Sequence, residues 1–323
     1  MRLVPAGFRS RLASREVGAL GALVLLCALL ALFSPMTGEG NAFLSLQNAT
    51  NVLNQVCVTA ILAAGSSLVI FGGGIDLSVG SVLAFGGALS AGAMKAGLPV
   101  PLAAVAGICA GAALGSANGI LVATLRLPPF IATLGMMGIV RGLTYVYLGG
   151  APIFGFSPLF RSIAEGRVLG IPFPVVLMAA VFLACHLLLT RTAFGRSVYA
   201  MGGNEEAARL AGVPVARRKV AVYALSGVAA GLAGLVLASR LDSAEPQAAD
   251  GYELDAIAAV VMGGASLSGG EGTVIGSLVG ALIMGVVRNG LNLLNVPAYW
   301  QKVAIGSIIL VAVLVDVARR RNH

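Results

Sequence analysis

The sequence predicts an all-α polytopic membrane protein with about ten transmembrane helices. Of the 323 residues, 58% are hydrophobic and only 11% are charged, whereas about 25% of the residues in a soluble domain carry a charge. The apolar residues form repeated runs of about 20 residues, which is the length of a helix that crosses a bilayer. These runs do not alternate between apolar and polar residues, and this argues against a transmembrane β-barrel.

Ten apolar segments predict a single transmembrane domain over residues 1–323. They cover roughly residues 17–33, 52–71, 76–94, 101–124, 130–148, 172–190, 217–239, 253–268, 272–290 and 299–317. The first follows three arginines, so a signal peptide is an alternative, but no clear cleavage site follows and we predict an uncleaved span. The eighth is short for a full crossing. The sequence "GGGID" separates segments two and three, and "SGGEG" separates segments eight and nine. These two joints predict tight turns, broken helices or re-entrant hairpins.

Basic residues predict the orientation of these spans. Arginines gather in the N-terminal tail, in the loop 191–219 and at the C-terminus, and the positive-inside rule places all three in the cytoplasm. The region 240–255 is acidic and is expected outside. Six spans before the central loop and four after it satisfy this pattern, with both termini cytoplasmic. The net charge of +8 therefore indicates topology and not a nucleic-acid partner.

Two pairs of similar motifs indicate an inverted repeat of segments 2–5 and 7–10. The motif "IDLSVGSVLAFGGA" at 75–88 is similar to "LDAIAAVVMGGA" at 254–265, and "NGILVATLRLPPF" at 118–130 is similar to "NGLNLLNVPAY" at 289–299. An offset of five spans puts the two copies in opposite orientations, as in many transporters. Chance similarity in a sequence rich in glycine and alanine is the alternative.

Glycines at 107, 111, 115 and 119 recur every four residues and therefore lie along one face of a helix. Small residues let another helix approach closely in lipid, where the hydrophobic effect does not drive association. We predict packing within the chain, with a seam between two copies as the alternative.

Polar residues within or beside the spans are candidates for the translocation path or for helix caps. A charge inside the bilayer is costly and often lines a path. A carboxylate before a helix can also accept backbone N–H bonds and complement the helix dipole, which is our first interpretation of Asp76 and of Asp255. The candidates are Asp76, Ser78, Asn118, Asp255 and Asn289.

Motifs for catalysis and nucleotide binding do not occur in the sequence. There is no GxxxxGK[ST] phosphate loop, HExxH, CxxC or GxSxG, and the four cysteines lie in apolar segments without metal-site spacing. We therefore predict no enzyme activity, no metal site and no cofactor bound by this chain. A permease driven by a separate ATPase, an ion-coupled secondary carrier and a membrane scaffold that recruits a partner are the remaining classes.

The polar loop 191–219 contains a short helix with its own start and stop signals. Asn204 is a good N-cap, and the two glutamates that follow place negative charge in the first turn. Gly212 can adopt the left-handed conformation that ends a helix. About two turns are too short to be stable alone, so we expect a bracing surface, on a partner or on this chain.

This loop resembles the EAA loop of ABC-transporter permeases, whose helix docks into the ATPase subunit and transmits its motion. The matching residues are Gly203, Asn204, Glu205, Glu206, Ala207, Ala208, Arg209 and Gly212. The usual I-x-L-P ending is missing, since "VAVYAL" stands there.

Other motifs look like permeases of the ribose, xylose and arabinose import branch, and the resemblance extends from about Gln47 to Asp316. They are "GGGIDLSVGS" (72–81), "LPPFIATLGMM" (127–137), "GNEEAARLAG" (203–212), "GYELDAIAAVVMGG" (251–264) and "NGLNLL" (289–294). The resemblance implies a multi-pass permease subunit in a bacterial inner membrane that imports a pentose or related monosaccharide.

The implied partners are an ABC ATPase subunit that carries ATP and Mg²⁺, a periplasmic sugar-binding protein, and a second copy of the permease or a close homologue. A branched-chain amino-acid permease of related fold is the alternative within the same class of transporters.

Overall fold

The computed structural model describes residues 6–37 and 40–321, which form thirteen helices and six two-residue strands. The helices are α1 Ala6–Phe33, α2 Leu46–Phe71, α3 Val79–Lys95, α4 Val100–Ala123, α5 Pro129–Leu148, α6 Pro158–Glu165, α7 Phe173–Arg191, α8 Ala193–Gly203, α9 Glu205–Leu210, α10 Val215–Leu241, α11 Tyr252–Met262, α12 Val274–Leu293 and α13 Ala298–Arg321. The strands are β1 Met36–Thr37, β2 Gly40–Asn41, β3 Ile153–Phe154, β4 Arg167–Val168, β5 Ile171–Pro172 and β6 Ser243–Ala244. They pair antiparallel as β1 with β2, β3 with β6 and β4 with β5.

The helical membrane fold that the sequence predicts is confirmed. Each of the ten predicted segments contains a helix, while α6 and α8 were not foreseen. Among the described residues, seven helices are long and apolar enough to cross a membrane: α1, α2, α4, α5, α7, α10 and α12. Helix α3 has 17 residues, α11 has 11, and α13 is not among these seven. Ten crossings therefore stay a prediction.

Helices α2 and α10 form the centre of the bundle. Both are mostly buried, and α10 packs against α2, α3 and α4. Helices α1, α4, α5 and α7 lie outside and expose many apolar side chains. An apolar exterior formed by helices suits a hydrocarbon environment, because a helix bonds its backbone groups internally.

The two predicted repeat units, α2–α5 and α10–α13, pack in the same pairwise pattern. The second and third helices of the first unit, α3 and α4, pack against α10, which opens the second unit. The equivalent helices α11 and α12 pack against α2, which opens the first unit. This exchange of contacts supports the internal repeat.

The glycines of α4 hold it against α10 at backbone distance. A Cβ atom added at Gly111 would overlap the carbonyl oxygen of Gly227, and one at Gly119 would lie 2.6 Å from the Cα of Val220. Gly107 meets Gly86 of α3 in the same way. The prediction that this ridge packs within the chain is confirmed.

Connecting segments gather at the two ends of α10, which are about 40 Å apart for a helix of 27 residues. The segment 122–129 and helix α9 lie near the first residue of α10. At its last residue, Asp242 accepts a hydrogen bond from the backbone N–H of Phe156 (2.9 Å), and β6 pairs with β3. The basic loop and the acidic segment that follows α10 therefore lie at opposite ends, as the predicted topology requires.

Candidate functional site

The loop 191–219 contains two consecutive helices, α8 and α9, that are separated by one cap residue. The N-cap of α8 is Thr192, whose hydroxyl accepts a hydrogen bond from the N–H of Gly195 (3.3 Å). Asn204 ends α8 and begins α9, because its side-chain oxygen accepts from the N–H of Ala207 (2.9 Å). The predicted N-cap is confirmed. Helix α8, which the sequence analysis missed, connects α9 to the bundle without a flexible linker.

Helix α9 ends as predicted and is short. It covers six residues, and Gly212 follows in the left-handed region with φ +83°. The N–H of Gly212 donates to the carbonyl of Arg209 (3.0 Å), and Val213 bonds back to Ala208. This turn directs the chain into α10, so both ends of α9 are fixed by adjoining helices.

The chain itself braces the inner side of α9. Lys219 of α10 donates to the carboxylate of Glu205 (2.6 Å), and the methyl group of Ala208 is buried. The outer side stays open: Glu206 and Arg209 pair with each other at the surface, and Leu210 is 81% exposed. Helix α9 therefore presents a charged and apolar face that no other described part of the chain covers.

A groove of about 840 Å³ lies beside α9, between the segment 122–129 and residues 213–219. Among the residues that the structure describes, four basic side chains line it, and Glu205 is its one acidic residue. The basic residues are Arg126, Arg209, Arg217 and Lys219. Since Glu205 is already bonded to Lys219, the groove carries a net positive charge.

The sequence analysis did not connect Arg126 with the loop, because the two are far apart in the chain. The one local indication of a turn at Arg126 is the pair of prolines that follows it in "LRLPP". Arg126 adopts a left-handed backbone conformation with φ +57°. This turn after α4 places Arg126 on the wall of the groove that faces residues 213–219.

Three of the five path or cap candidates form one buried cluster. Asp76 accepts hydrogen bonds from the N–H (2.9 Å) and hydroxyl (2.7 Å) of Ser78 and from the amide of Asn118 (3.4 Å). The Asn118 amide also donates to the Ser78 hydroxyl (2.7 Å). All three side chains are almost fully buried, so the cluster joins the start of α3 to α4.

The cap interpretation holds only in part, since Asp76 accepts a backbone N–H before α3 and Asp255 lies in the first turn of α11, but neither is the N-cap residue. The N-cap of α3 is Ser78, without a side-chain cap bond, and Asp76 holds that residue from the preceding turn. Asp255 lies inside α11, whose N-cap is Gly251, and its carboxylate pairs with Arg288 of α12. A buried carboxylate without a counter-charge is strongly destabilising, and Arg288 supplies that charge to Asp255.

Asn289 lies next to that ion pair in sequence and makes a separate contact. Its amide donates to the side-chain oxygen of Asn48 in α2 (2.7 Å), and Asn48 donates in return (3.2 Å). The five candidates thus occupy three buried contacts between helices, and Asn48 and Arg288 complete two of them. A role in lining the path stays a prediction for all five.

Other polar groups of the bundle are also used for packing. Arg141 of α5 donates to the carbonyls of Pro246 and Ala248 (2.8 Å each), which fixes the acidic segment after α10. Within residues 6–37 and 40–321, no three His, Cys, Asp or Glu side chains gather closely enough to hold a metal ion.

Comparison with known proteins identifies the family of this chain. The family model described as the branched-chain amino acid transport system permease component matches residues 48–313. The ribose import permease protein RbsC of Escherichia coli K12 is 48% identical over 305 residues, which are 93% of each chain.

Two further relatives are named as permeases for other sugars. The D-allose transport system permease protein AlsC of the same strain is 41% identical and covers 92% of this chain and 90% of its own. The L-arabinose ABC transporter permease protein AraH of Azospirillum brasilense is 40% identical and covers 91% and 87%. The chain therefore belongs to this permease family, and within it to the monosaccharide-import branch of the ABC-transporter permeases.

Proposed function

We propose that this chain is the membrane-embedded subunit of an ATP-driven monosaccharide importer in a bacterial inner membrane, and that α9 docks onto a separate ATPase. The observation that carries the coupling role is the uncovered outer face of α9, on a helix fixed at both ends by α8 and α10. A rigid, exposed element transmits force, whereas a flexible loop would absorb it.

The groove beside α9 supports a protein partner with acidic side chains. Charge complementarity fixes the register of an interface and raises its association rate. Arg126 and Arg217 have no ion pair among the described residues, so both are available to such a partner. The docking surface would then extend from α9 over the turn between α4 and α5.

The remaining partners follow from the proposed orientation. Both termini and α9 lie in the cytoplasm, and the acidic segment after α10 faces the periplasm, where a sugar-binding protein delivers the substrate. A second permease copy or a close homologue completes the path. This chain contributes no nucleotide site, and ATP with Mg²⁺ is held by the ATPase.

Ribose is the first substrate to test, since relatives from Escherichia coli, Haemophilus influenzae and Bacillus subtilis that are 46–48% identical to this chain are named ribose import permeases. The complex of permease, ATPase and binding protein is reconstituted in liposomes, and uptake of labelled ribose, allose, arabinose and xylose is measured with and without ATP.

We expect uptake of a monosaccharide only with all components and ATP. Uptake by the permease alone in response to an ion gradient would show a secondary carrier instead. ATP-driven uptake of leucine with no uptake of any sugar would assign the chain to amino-acid transport.

The docking role of α9 has its own test. The substitution Glu206→Lys reverses a charge on the outer face and removes the partner of Arg209. We expect it to abolish copurification with the ATPase while membrane insertion is unchanged. Glu165→Lys makes the same change at the exposed end of α6, on the opposite side of the bundle, and is expected to leave copurification intact. Normal copurification of Glu206→Lys would contradict the assignment.

A further inference from the structure

Three glycine pairs that are far apart in sequence meet at one point beneath α9. They come from the joint between α2 and α3, from the end of α8, and from the joint between α11 and α12. The closest contacts involve Gly73, Gly202, Gly269 and Gly270, and we call this contact the glycine junction. It was absent from the sequence analysis, which treated the two joints and the central loop as separate features.

The backbones touch at the glycine junction without intervening side chains. A Cβ atom at Gly202 would overlap the carbonyl oxygen of Phe71 and lie 2.6 Å from the nitrogen of Gly270. One at Gly269 would lie 2.6 Å from the Cα of Gly73. The N–H of Gly270 donates to the carbonyl of Phe71 (2.9 Å), which bonds the two joints directly.

Tyr199 of α8 connects the same elements with its side chain. Its ring stacks on Phe71 at the end of α2, with 5.5 Å between centroids and 18° between planes. Its hydroxyl donates to the carbonyl of Gly272, which precedes α12 (3.0 Å). Helix α8 is therefore fixed to both joints at once, by backbone contact and by this tyrosine.

This packing has a mechanical consequence. Close-packed interiors transmit displacement, because they have low compressibility and no space in which to absorb it. Helix α8 passes directly into α9 through Asn204, so any movement of α9 acts on both joints. The first joint leads to Asp76 and Ser78, which bind Asn118 on α4. The second joint leads into α12.

We propose that Gly202 and Tyr199 are positioning residues that convert movement of α9 into simultaneous displacement of the joints before α3 and before α12. This inference rests on the proposed docking of α9 to an ATPase and adds the route by which the movement reaches the membrane-embedded helices. Gly202 provides the close approach, and Tyr199 binds α8 to both joints so that they move together.

The test measures sugar uptake per ATP hydrolysed in the reconstituted complex. Gly202→Ala forces α8 away from Phe71 while the cap of α9 is unchanged. We expect ATPase binding and hydrolysis to continue and uptake per ATP to fall about five-fold or more, the lower range of coupling between sites. Tyr199→Phe keeps the stacked ring and removes one hydrogen bond, so we expect a fall of about two- to ten-fold.

Matched controls separate this effect from general damage. Gly21→Ala adds the same methyl group to α1, where nothing lies within 4 Å. Ser197→Ala removes a hydroxyl from α8 that bonds only within that helix. Both are expected to keep the wild-type ratio of uptake to hydrolysis.

The outcomes distinguish this inference from the proposed function. If the wild-type complex does not couple hydrolysis to uptake, the proposed function fails. If it couples, and both Tyr199→Phe and Gly202→Ala keep the wild-type ratio, the inference is wrong even where the thermal midpoint is lowered. Should Gly202→Ala not fold, an unchanged ratio in Tyr199→Phe overturns the inference and a reduced one supports it.

Discussion

The same pair of residue types, a carboxylate and an arginine, has different roles in two places in this chain. Asp255 is 3% exposed and its partner Arg288 is 29% exposed, whereas Glu206 and Arg209 on α9 are 63% and 57% exposed. Water screens the exposed pair, which contributes at most about 1 kcal/mol. The buried pair neutralises a charge that would otherwise be left unpaired between α11 and α12.

Removal of one partner of the buried pair is therefore expected to destabilise the fold. Arg288→Met leaves Asp255 uncompensated and should lower the free energy of unfolding by about 3–5 kcal/mol, measured as a lower thermal midpoint in detergent. Replacing both partners, with Asp255→Leu and Arg288→Met, should restore most of that loss. Arg209→Met is the exposed control, and an equal loss of stability in Arg209→Met and Arg288→Met would contradict this interpretation.

At the scale of a secondary-structure element, α9 shows how six residues can be held as a helix. Isolated helices shorter than about 12 residues are marginal in water, so α9 depends on its caps and its neighbours. Asn204 provides the first cap, Gly212 the turn that follows, and Lys219 a tie to α10. The element is ordered because both ends are fixed.

The cap of α9 should influence binding of the ATPase. Asn204→Ala removes the hydrogen bond to Ala207 and should cost about 1 kcal/mol of helix stability, which weakens binding about five-fold if the partner binds only the helical form. Titration of the ATPase onto the permease in nanodiscs measures this. Asn204→Asp keeps a hydrogen-bond acceptor at this position and should bind the ATPase like the wild type. Wild-type affinity of Asn204→Ala for the ATPase would show that the cap is not needed for binding.

The glycine contact between α4 and α10 belongs to the same scale. Gly111→Ala places a methyl group on the Gly227 carbonyl and should lower the free energy of unfolding by about 1–3 kcal/mol, because the two helices must separate. Gly142→Ala on α5 meets nothing within 4 Å and should be neutral or slightly stabilising. Thermal unfolding in detergent compares the two, and equal midpoints would contradict close packing as the role of Gly111.

For the whole molecule, the distribution of charge agrees with the topology of the bundle. Basic side chains line the groove at the first residue of α10, and the acidic segment 242–251 follows its last residue. The contacts exchanged between α2–α5 and α10–α13 fit two repeat units, and their opposite orientation stays a prediction. Arg2, part of the topology prediction, lies outside the described residues.

The orientation can be measured with single cysteines in a cysteine-free background. A membrane-impermeant maleimide applied to intact cells is expected to label Gln247→Cys, on the exposed acidic segment, and to leave Ala216→Cys at the start of α10 unlabelled until the cells are opened. The reverse pattern would invert the proposed topology and place α9 away from any cytoplasmic ATPase.

Local signals were sufficient for much of the fold and for the candidate docking helix. Apolar runs located the helices, and Asn204 and Gly212 gave the bounds of α9, because hydrophobic length and capping act over a few residues. Helix α8 was missed, since its mixed sequence has neither a long apolar run nor a clear periodicity. The ion pair of Asp255 was missed, because its partner Arg288 lies 33 residues away and only the packing of α11 on α12 brings them together.

The sequence by itself determined that this chain is a helical membrane protein with a capped helix between its two halves. The tertiary structure decided which of the spaced glycines meet and where α9 is attached. Gly73, Gly202 and Gly269 are separated by more than sixty residues each, and their meeting depends on the positions of α2, α8 and the joint before α12 together. A pattern within one segment specifies a helix, whereas a contact between three segments exists only once all of them are packed.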